Sequence, residues 1–252
     1  MIDRTSLRLA GTLLLAGQVL YVVVTLFHTG GDANNHPAIF AAYAASSTWT
    51  VVHVAQFACI AMLIAGLLVL GSALDAPPRA ATWASRFGAA SAVAALALEG
   101  ALQAVDGVGN KQADLAWVTA PDAEKAARFA SAEAIRWLEW GMRSYQAFAL
   151  GLALLLFAAA VVRPASVPRP IAVLMGLAGL VFLVQGWVVG SEGFSPTMSN
   201  AIVVAEALNV AWMIWLLVIA WRWPTARPQV TPEHDPTQPQ ERQSWLAGSS
   251  RP

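Results

Sequence analysis

The chain has 252 residues, 57% of them hydrophobic and 12% charged, with fifteen basic and fifteen acidic side chains and a formal net charge of zero. A charged fraction at half the roughly 25% of a soluble domain excludes an ordinary water-soluble globule. Zero net charge removes the general attraction on which nucleic-acid binding rests. The single cysteine, Cys59, sits in an apolar run, so an intrachain disulfide is excluded and the compartment cannot be read from cysteine usage.

Six runs approach the roughly 20 residues needed to cross hydrocarbon, and each is too long for a barrel strand of about 9–11 residues. The expected class is therefore all-α: a polytopic membrane protein built as a six-transmembrane-helix bundle, with an added extracytoplasmic amphipathic helix. The first span, 7–27, is longer than a signal h-region of about 7–15 residues and is read as retained. One face of it carries Gln18, Tyr21, Thr25 and His28, at helical spacing. A loop containing His36 leads to the second span, 51–70, which enters with His53 and Gln56. The third span, 87–105, carries Glu99, Gln103 and Asp106 on one face, a charged stripe inside an apolar run.

The connection from 106 to 144 is the least loop-like of the loops. Thr119 is read as an N-cap, with Pro121 in the first turn and Asp122 and Glu124 at the positive helix end. Phe129, Ala132, Ile135, Leu138 and Met142 then recur on one face. This predicts an amphipathic helix over 121–143, lying on the outer surface or feeding into the fourth span, with Gly141 as a candidate bend. It is either a structural cap or a lid over a site.

The fourth span, 145–162, is approached by Glu139, Arg143 and Gln146 on one face. The fifth, 171–189, ends with Gln185 and Glu192, and the sixth, 201–221, begins with Glu206 and Asn209. Residues 1–223 form the membrane domain, and the Pro-rich, polar tail 224–252 has little to bury and is expected to be a disordered cytoplasmic terminus.

Arg4, Arg8, Arg79, Arg86, Arg163, Arg169, Arg222, Arg227, Arg242 and Arg251 fall on one side of this arrangement. Lys111, Lys125, Arg128, Arg136 and Arg143 fall on the other, within the one long connection. The positive-inside rule then puts both termini in the cytoplasm. Trp49, Trp137, Trp140 and Trp187 near the outer boundary, and Trp83, Trp221 and Trp223 near the inner one, read as an aromatic belt of membrane anchors.

All six polar stripes lie in the outer halves of their helices. A lipid-facing carboxylate costs about 2.5–3.5 kcal/mol on insertion scales, so the stripes are expected to turn inward around a polar pocket open to, or capped at, the outer side. Its expected lining for ligand or proton binding is Glu99, Glu206, Gln103, Asn209, Gln56, Gln185, Glu139 and Arg143, with Glu99 facing Glu206 and the His28/His53 pair. The sequence assigns no catalytic residue and no cofactor. The one cofactor it leaves room for is zinc or another divalent metal, held by His28, His53 and His36 with Glu99, Asp106 or Glu206. No HExxH spacing is present, no nucleophile motif, no P-loop and no facing histidine pairs for haem.

The runs "FHTGGDANNHPAIFAAYAASSTWTVVHVAQF", "AVDGVGNKQADLAW" and "EKAARFASAEAIRWLEWGMRSYQ" resemble a group of bacterial six-span membrane proteins to which no activity is assigned. The resemblance covers most of residues 1–222. It implies six spans and a bacterial inner membrane, and supplies no activity, cofactor or catalytic residue. The leading functional expectation is a non-enzymatic membrane protein whose outward pocket binds a small polar ligand, cation or proton, as a sensor, accessory subunit or transporter component. The alternative is a membrane-embedded metal enzyme acting on a lipid or prenyl substrate. A third reading is a structural protein whose polar stripes only fix helix packing. Its partners are the bilayer and that ligand, with no nucleic acid.

Overall fold

The computed structural model describes residues 3–73, 79–162 and 167–222, and all regular structure among them is helical. The expected tail 224–252, with Trp223, Arg163, Arg227, Arg242 and Arg251, lies outside the described residues. The helices are α1 (Arg4–Thr25), α2 (His36–Ala45), α3 (Trp49–Ala73), α4 (Arg79–Ala104), α5 (Lys111–Val118), α6 (Asp122–Val161), α7 (Arg169–Glu192) and α8 (Pro196–Arg222). A π-helical segment, Val105–Asn110, joins α4 to α5. Six stretches are long and apolar enough to cross a membrane: α1, α3, Ala81–Val118, α6, α7 and α8. The protein is a multi-pass all-α membrane bundle.

Local chemistry sets several helix ends. Asp3 caps α1 by accepting from the Thr5 amide at 3.0 Å. Ser195 accepts from the Met198 amide at the start of α8, and Pro170 occupies the first turn of α7, where no amide donor is needed. The six long helices pack as a closed ring, in the order α1, α3, α4, α6, α7, α8 and back to α1. One end of that ring is filled by Leu14, Leu67, Leu70, Phe157, Ile171 and Met175, all essentially inaccessible.

The other end is capped. α6 is 40 residues long, which at 1.5 Å per residue is about 60 Å, twice the roughly 30 Å of hydrocarbon. α4 continues through the π segment into α5 for a similar length. The surplus of both helices stands beyond the bundle and clasps α2, with Ile39, Phe40, Tyr43, Trp49 and Ala132 as a second apolar core.

Several expectations change here. Of the two alternatives for the helix over 121–143, the structure has the one that feeds into the fourth span: it is the first half of α6, which stays helical through Gly141 rather than breaking there. Thr119 is the C-cap of α5, its hydroxyl donating to the Leu115 carbonyl, while Pro121 precedes α6. α2 falls in what reads as a loop. It is held at its start by the Asn35 side chain and at its end by Lys111, whose ammonium donates to the carbonyls of Tyr43, Ala44 and Ser46 at 2.6–2.9 Å. Lys111 is thus a helix cap rather than a loop charge. Trp49 is not an anchor in lipid but 2% exposed within the cap, whereas Trp137, Trp187, Trp83 and Trp221 are exposed on the surface.

Candidate metal centre beneath the cap

Between the cap and the bundle lies a cavity of about 610 Å³. α1 delivers Tyr21 and Thr25 to its wall, the following turn His28, α3 Gln56, α4 and the π segment Gln103 and Asp106, and α6 Arg136, Glu139 and Arg143. The loop after α1 is stapled over it by Asn34, which donates to the Glu192 carbonyl at 3.0 Å and accepts from the Phe194 amide at 3.1 Å. Gly193, between them, has φ +68°, and a Cβ there would meet the Trp140 ring at 2.4 Å, so no other residue fits this turn without displacement.

The π segment shapes the centre. Its wide turn turns two carbonyls toward α3, where Trp49 Nε1 donates to the Asp106 carbonyl at 2.8 Å and the Thr50 hydroxyl to that of Gly107 at 2.9 Å. Gly107 packs on His53 so closely that a Cβ would lie 2.7 Å from the His53 Cβ. This contact sets the ring against Asp106, with His53 Nε2 3.0 Å from Asp106 Oδ2.

His28, His53 and Asp106 each offer a ligand atom, and these atoms all lie within 4.8 Å of one another. The His28 and His53 ring centroids are 5.2 Å apart. Each imidazole has its Nδ1 at a backbone carbonyl: His53 at Trp49, 2.7 Å away, and His28 at Thr29, 3.0 Å away. A neutral ring that donates from Nδ1 keeps its lone pair on Nε2, the arrangement that orients histidine toward a metal. The buried His53 Nε2 then faces a carboxylate oxygen with no donor between them, a contact that requires a second ring proton or a shared cation. Burial holds the His28 imidazole below its ordinary pKa, which keeps it neutral and able to ligate. Burial also pushes the neighbouring Tyr43 phenol upward, so it remains protonated.

The remaining polar residues form a supporting network. Arg136 donates to Glu139 at 2.5 Å and to the Ala33 carbonyl at 3.1 Å, and both members of the pair are 2% exposed or less. Asn110 donates to both Glu139 and Asp106, joining that pair to the centre. Asp114, one turn further on, is fully buried, and neither carboxylate oxygen has a hydrogen-bond partner among the described residues. The sequence reading missed Arg136, Asn110 and Asp114 as part of the site. The available signal was the continuation of the Asp106 stripe at four-residue steps, through Asn110 to Asp114.

Of the residues expected to line the pocket, the structure brings Gln56, Gln103, Glu139 and Arg143 to the large cavity, with His28. Glu206 and Asn209 line a smaller chamber deeper in the bundle. Gln185 and Glu99 are placed otherwise, as is the expected metal ligand His36. Gln185 donates to the Ala201 carbonyl between α7 and α8 and lines neither space. His36 pairs with Glu133 at 2.9 Å across α2 and α6, stacked on Phe40 and edge-on to Trp140, and does not join the other two histidines. Glu99 is fully buried and bonded by Gln103 at 2.7 Å, so it points neither to lipid nor into the open cavity.

Comparison with protein-family models, with curated proteins and with solved structures finds no match to this chain.

Proposed function

We propose that this multi-pass membrane protein binds a divalent transition metal of the zinc class at His28, His53 and Asp106, beneath an extramembrane cap. The observation that carries this reading is the convergence of two imidazoles and a carboxylate within 4.8 Å, each imidazole with Nδ1 committed to a backbone carbonyl. Three protein ligands with an open fourth position is the pattern of an exchangeable or catalytic zinc site rather than a closed structural one. His28 and Asp106 both line the cavity, so water or a small ligand there reaches a bound metal.

On this reading the capped end faces away from the cytoplasm. Arg4, Arg8, Arg86, Arg169 and Arg222 belong to the opposite end, and at the capped end Lys111 and Arg136 are taken up by α2 and Glu139. The resemblance noted above adds a bacterial inner membrane as the setting. The protein then serves as a metal-binding sensor, accessory subunit or carrier component.

A second reading, a metal enzyme acting on a lipid, is favoured by one observation. A groove of about 270 Å³, walled by Val54, Phe57, Gly100, Ala104 and Val108, reaches His53 from the membrane face between α3 and α4.

The test is metal content by elemental analysis after zinc loading and dialysis. One zinc per chain is expected for the wild type and for H36Q, with loss in H53Q and D106N. Equal zinc in D106N and wild type would overturn the assignment.

A further inference from the structure

The three ligands of the proposed metal site are not held alike. His53 lies within α3, 1% exposed, with its ring fixed by the Trp49 carbonyl and by the close approach of Gly107. Asp106 lies in the π segment, its carbonyl bonded by Trp49 and its carboxylate by Asn110. His28 alone lies outside a helix, past Thr25, where α1 ends. From there the chain runs to Asn35, which caps α2. The amides of residues 29–33 donate no hydrogen bond among the described residues, and Gly30, Gly31 and Asp32 are exposed. Gly31 has φ +148°, and a Cβ at Gly30 would meet nothing within 4 Å. A segment with so few backbone bonds and buried contacts belongs to the low-stability end of a fold and opens while the rest stays folded.

Two ties hold this strap down. Arg136 of α6 donates to the Ala33 carbonyl at 3.1 Å, with its guanidinium 4.8 Å over the Phe194 ring. Asn34 reaches across to the turn between α7 and α8, donating to the Glu192 carbonyl at 3.0 Å and accepting from the Phe194 amide at 3.1 Å. Arg136 also serves Glu139. The Asn34 side chain is not among those lining the cavity, and its two bonds across to that turn do nothing but clasp the strap.

We propose that the bound metal is exchanged at the capped end by withdrawal of His28, as the strap 28–34 lifts between its fixed ends at α1 and α2, and that the Asn34 clasp sets how often it lifts. This deepens the metal reading and rests on His28, His53 and Asp106 being the ligands. With the strap down, the metal has three protein ligands. With it lifted, only His53 and Asp106 remain, and the metal departs into the cavity that Asp106 lines. Gly30 and Gly31 supply the backbone freedom for the movement. The clasp acts on the closed strap whether or not metal is present, so weakening it speeds loading and release alike. Affinity is unchanged as long as the closed form dominates. A site with two rigid ligands and one on a strap gives its metal up, which suits a carrier component rather than a permanent structural centre.

The test follows zinc leaving the loaded full-length protein in micelles into an excess of chelating dye, and zinc entering the metal-free protein. N34A is expected to speed both about tenfold, as the loss of two hydrogen bonds of ordinary net worth does, with Kd unchanged. G30A, which the open surroundings of Gly30 accommodate, narrows the freedom of the strap and slows both about two- to fivefold. Exchange in N34A at the wild-type rate overturns the proposal. Faster release with unchanged loading also overturns it, because Asn34 then supports the bound metal rather than the closed strap. A second readout needs no metal: diethyl pyrocarbonate, which acylates a neutral imidazole, followed by peptide mass spectrometry. In the metal-free protein His28 is modified about tenfold faster in N34A than in wild type, whereas His36, paired with Glu133, is modified equally in both. Equal modification of His28 overturns the strap. If the wild type retains no zinc, the ligand assignment fails on its own, and His28 modification still decides whether Asn34 holds the strap closed.

Discussion

The two ends of the bundle use the same six helices and opposite chemistry. At the uncapped end, Leu14, Leu67, Leu70, Phe157, Ile171 and Met175 interlock with no charged side chain among them. At the capped end, His53, Glu99, Asp114, Arg136 and Glu139 are as deeply buried as those leucines. Apolar packing alone holds six membrane helices together, as the uncapped end demonstrates, so packing does not require the charges at the other. Burying a charge is tolerated only with partners, and the capped end supplies them to His53, Arg136 and Glu139 from the π segment and the long arm of α6. The contrast separates a scaffold from a site.

The largest expected effect tests whether the capped end depends on its pairs. R136M leaves Glu139 buried without its cation and should lower stability by about 3–5 kcal/mol in a denaturant titration in micelles. The double variant R136M/E139L should recover most of that loss. If R136M alone is neutral, Glu139 was never a buried anion and the network described here is wrong.

Next, L67A at the uncapped end should cost about 2–5 kcal/mol through its cavity, yet leave zinc stoichiometry at the wild-type value. Loss of zinc in L67A would show that the two ends are not separable.

W49F has the reverse signature. It keeps the aromatic contact but removes the hydrogen bond to the Asp106 carbonyl, so zinc affinity should fall about 10–100-fold, as when other supporting partners of metal ligands are removed. A competition titration with a chelating dye reads this directly, and unchanged affinity would remove Trp49 from the support of the site.

The smallest effect is a pH dependence. Burial lowers the His28 pKa in the folded state. Above the unfolded value of about 6.5 neither state carries the proton, so the stability His28 contributes is fully present there. As pH falls through that value toward the folded one, the unfolded state binds the proton first and stability declines, by at most about 1.4 kcal/mol per pH unit. With metal chelated, the wild type should therefore lose more Tm than H28Q between about pH 7.5 and pH 5.5, a window that brackets the ordinary histidine value. An equal loss in both would show that His28 is not buried as described.

The bundle was legible because span length and apolar runs are long-range averages that no single contact overrides. The inward turn of the stripes was legible for the same reason, since charge at membrane depth has few tolerable orientations. What escaped depends on local geometry. α2 is only 10 residues, too short for its apolar pattern to stand out, although Asn35 and Pro37 mark its start as N-cap and first-turn residues. The π segment has no compositional signature beyond Gly107 and Gly109, yet it sets where Asp106 points. Lys111 reads as a loop charge because nothing in the chain indicates that α2 presents carbonyls to it, and Arg136, although on the predicted helix over 121–143, is buried only because α2 and the loop before it pack on that helix. His36 was grouped with His28 and His53 by proximity in sequence, whereas α2 carries it to Glu133.

Whether His28, His53 and Asp106 hold one metal is read by zinc-edge X-ray absorption on the loaded protein. The expected spectrum has nitrogen and oxygen neighbours at about 2.0–2.1 Å, with outer-shell scattering from two imidazoles and no sulfur. A sulfur shell near about 2.3 Å, or the absence of imidazole scattering, would contradict it.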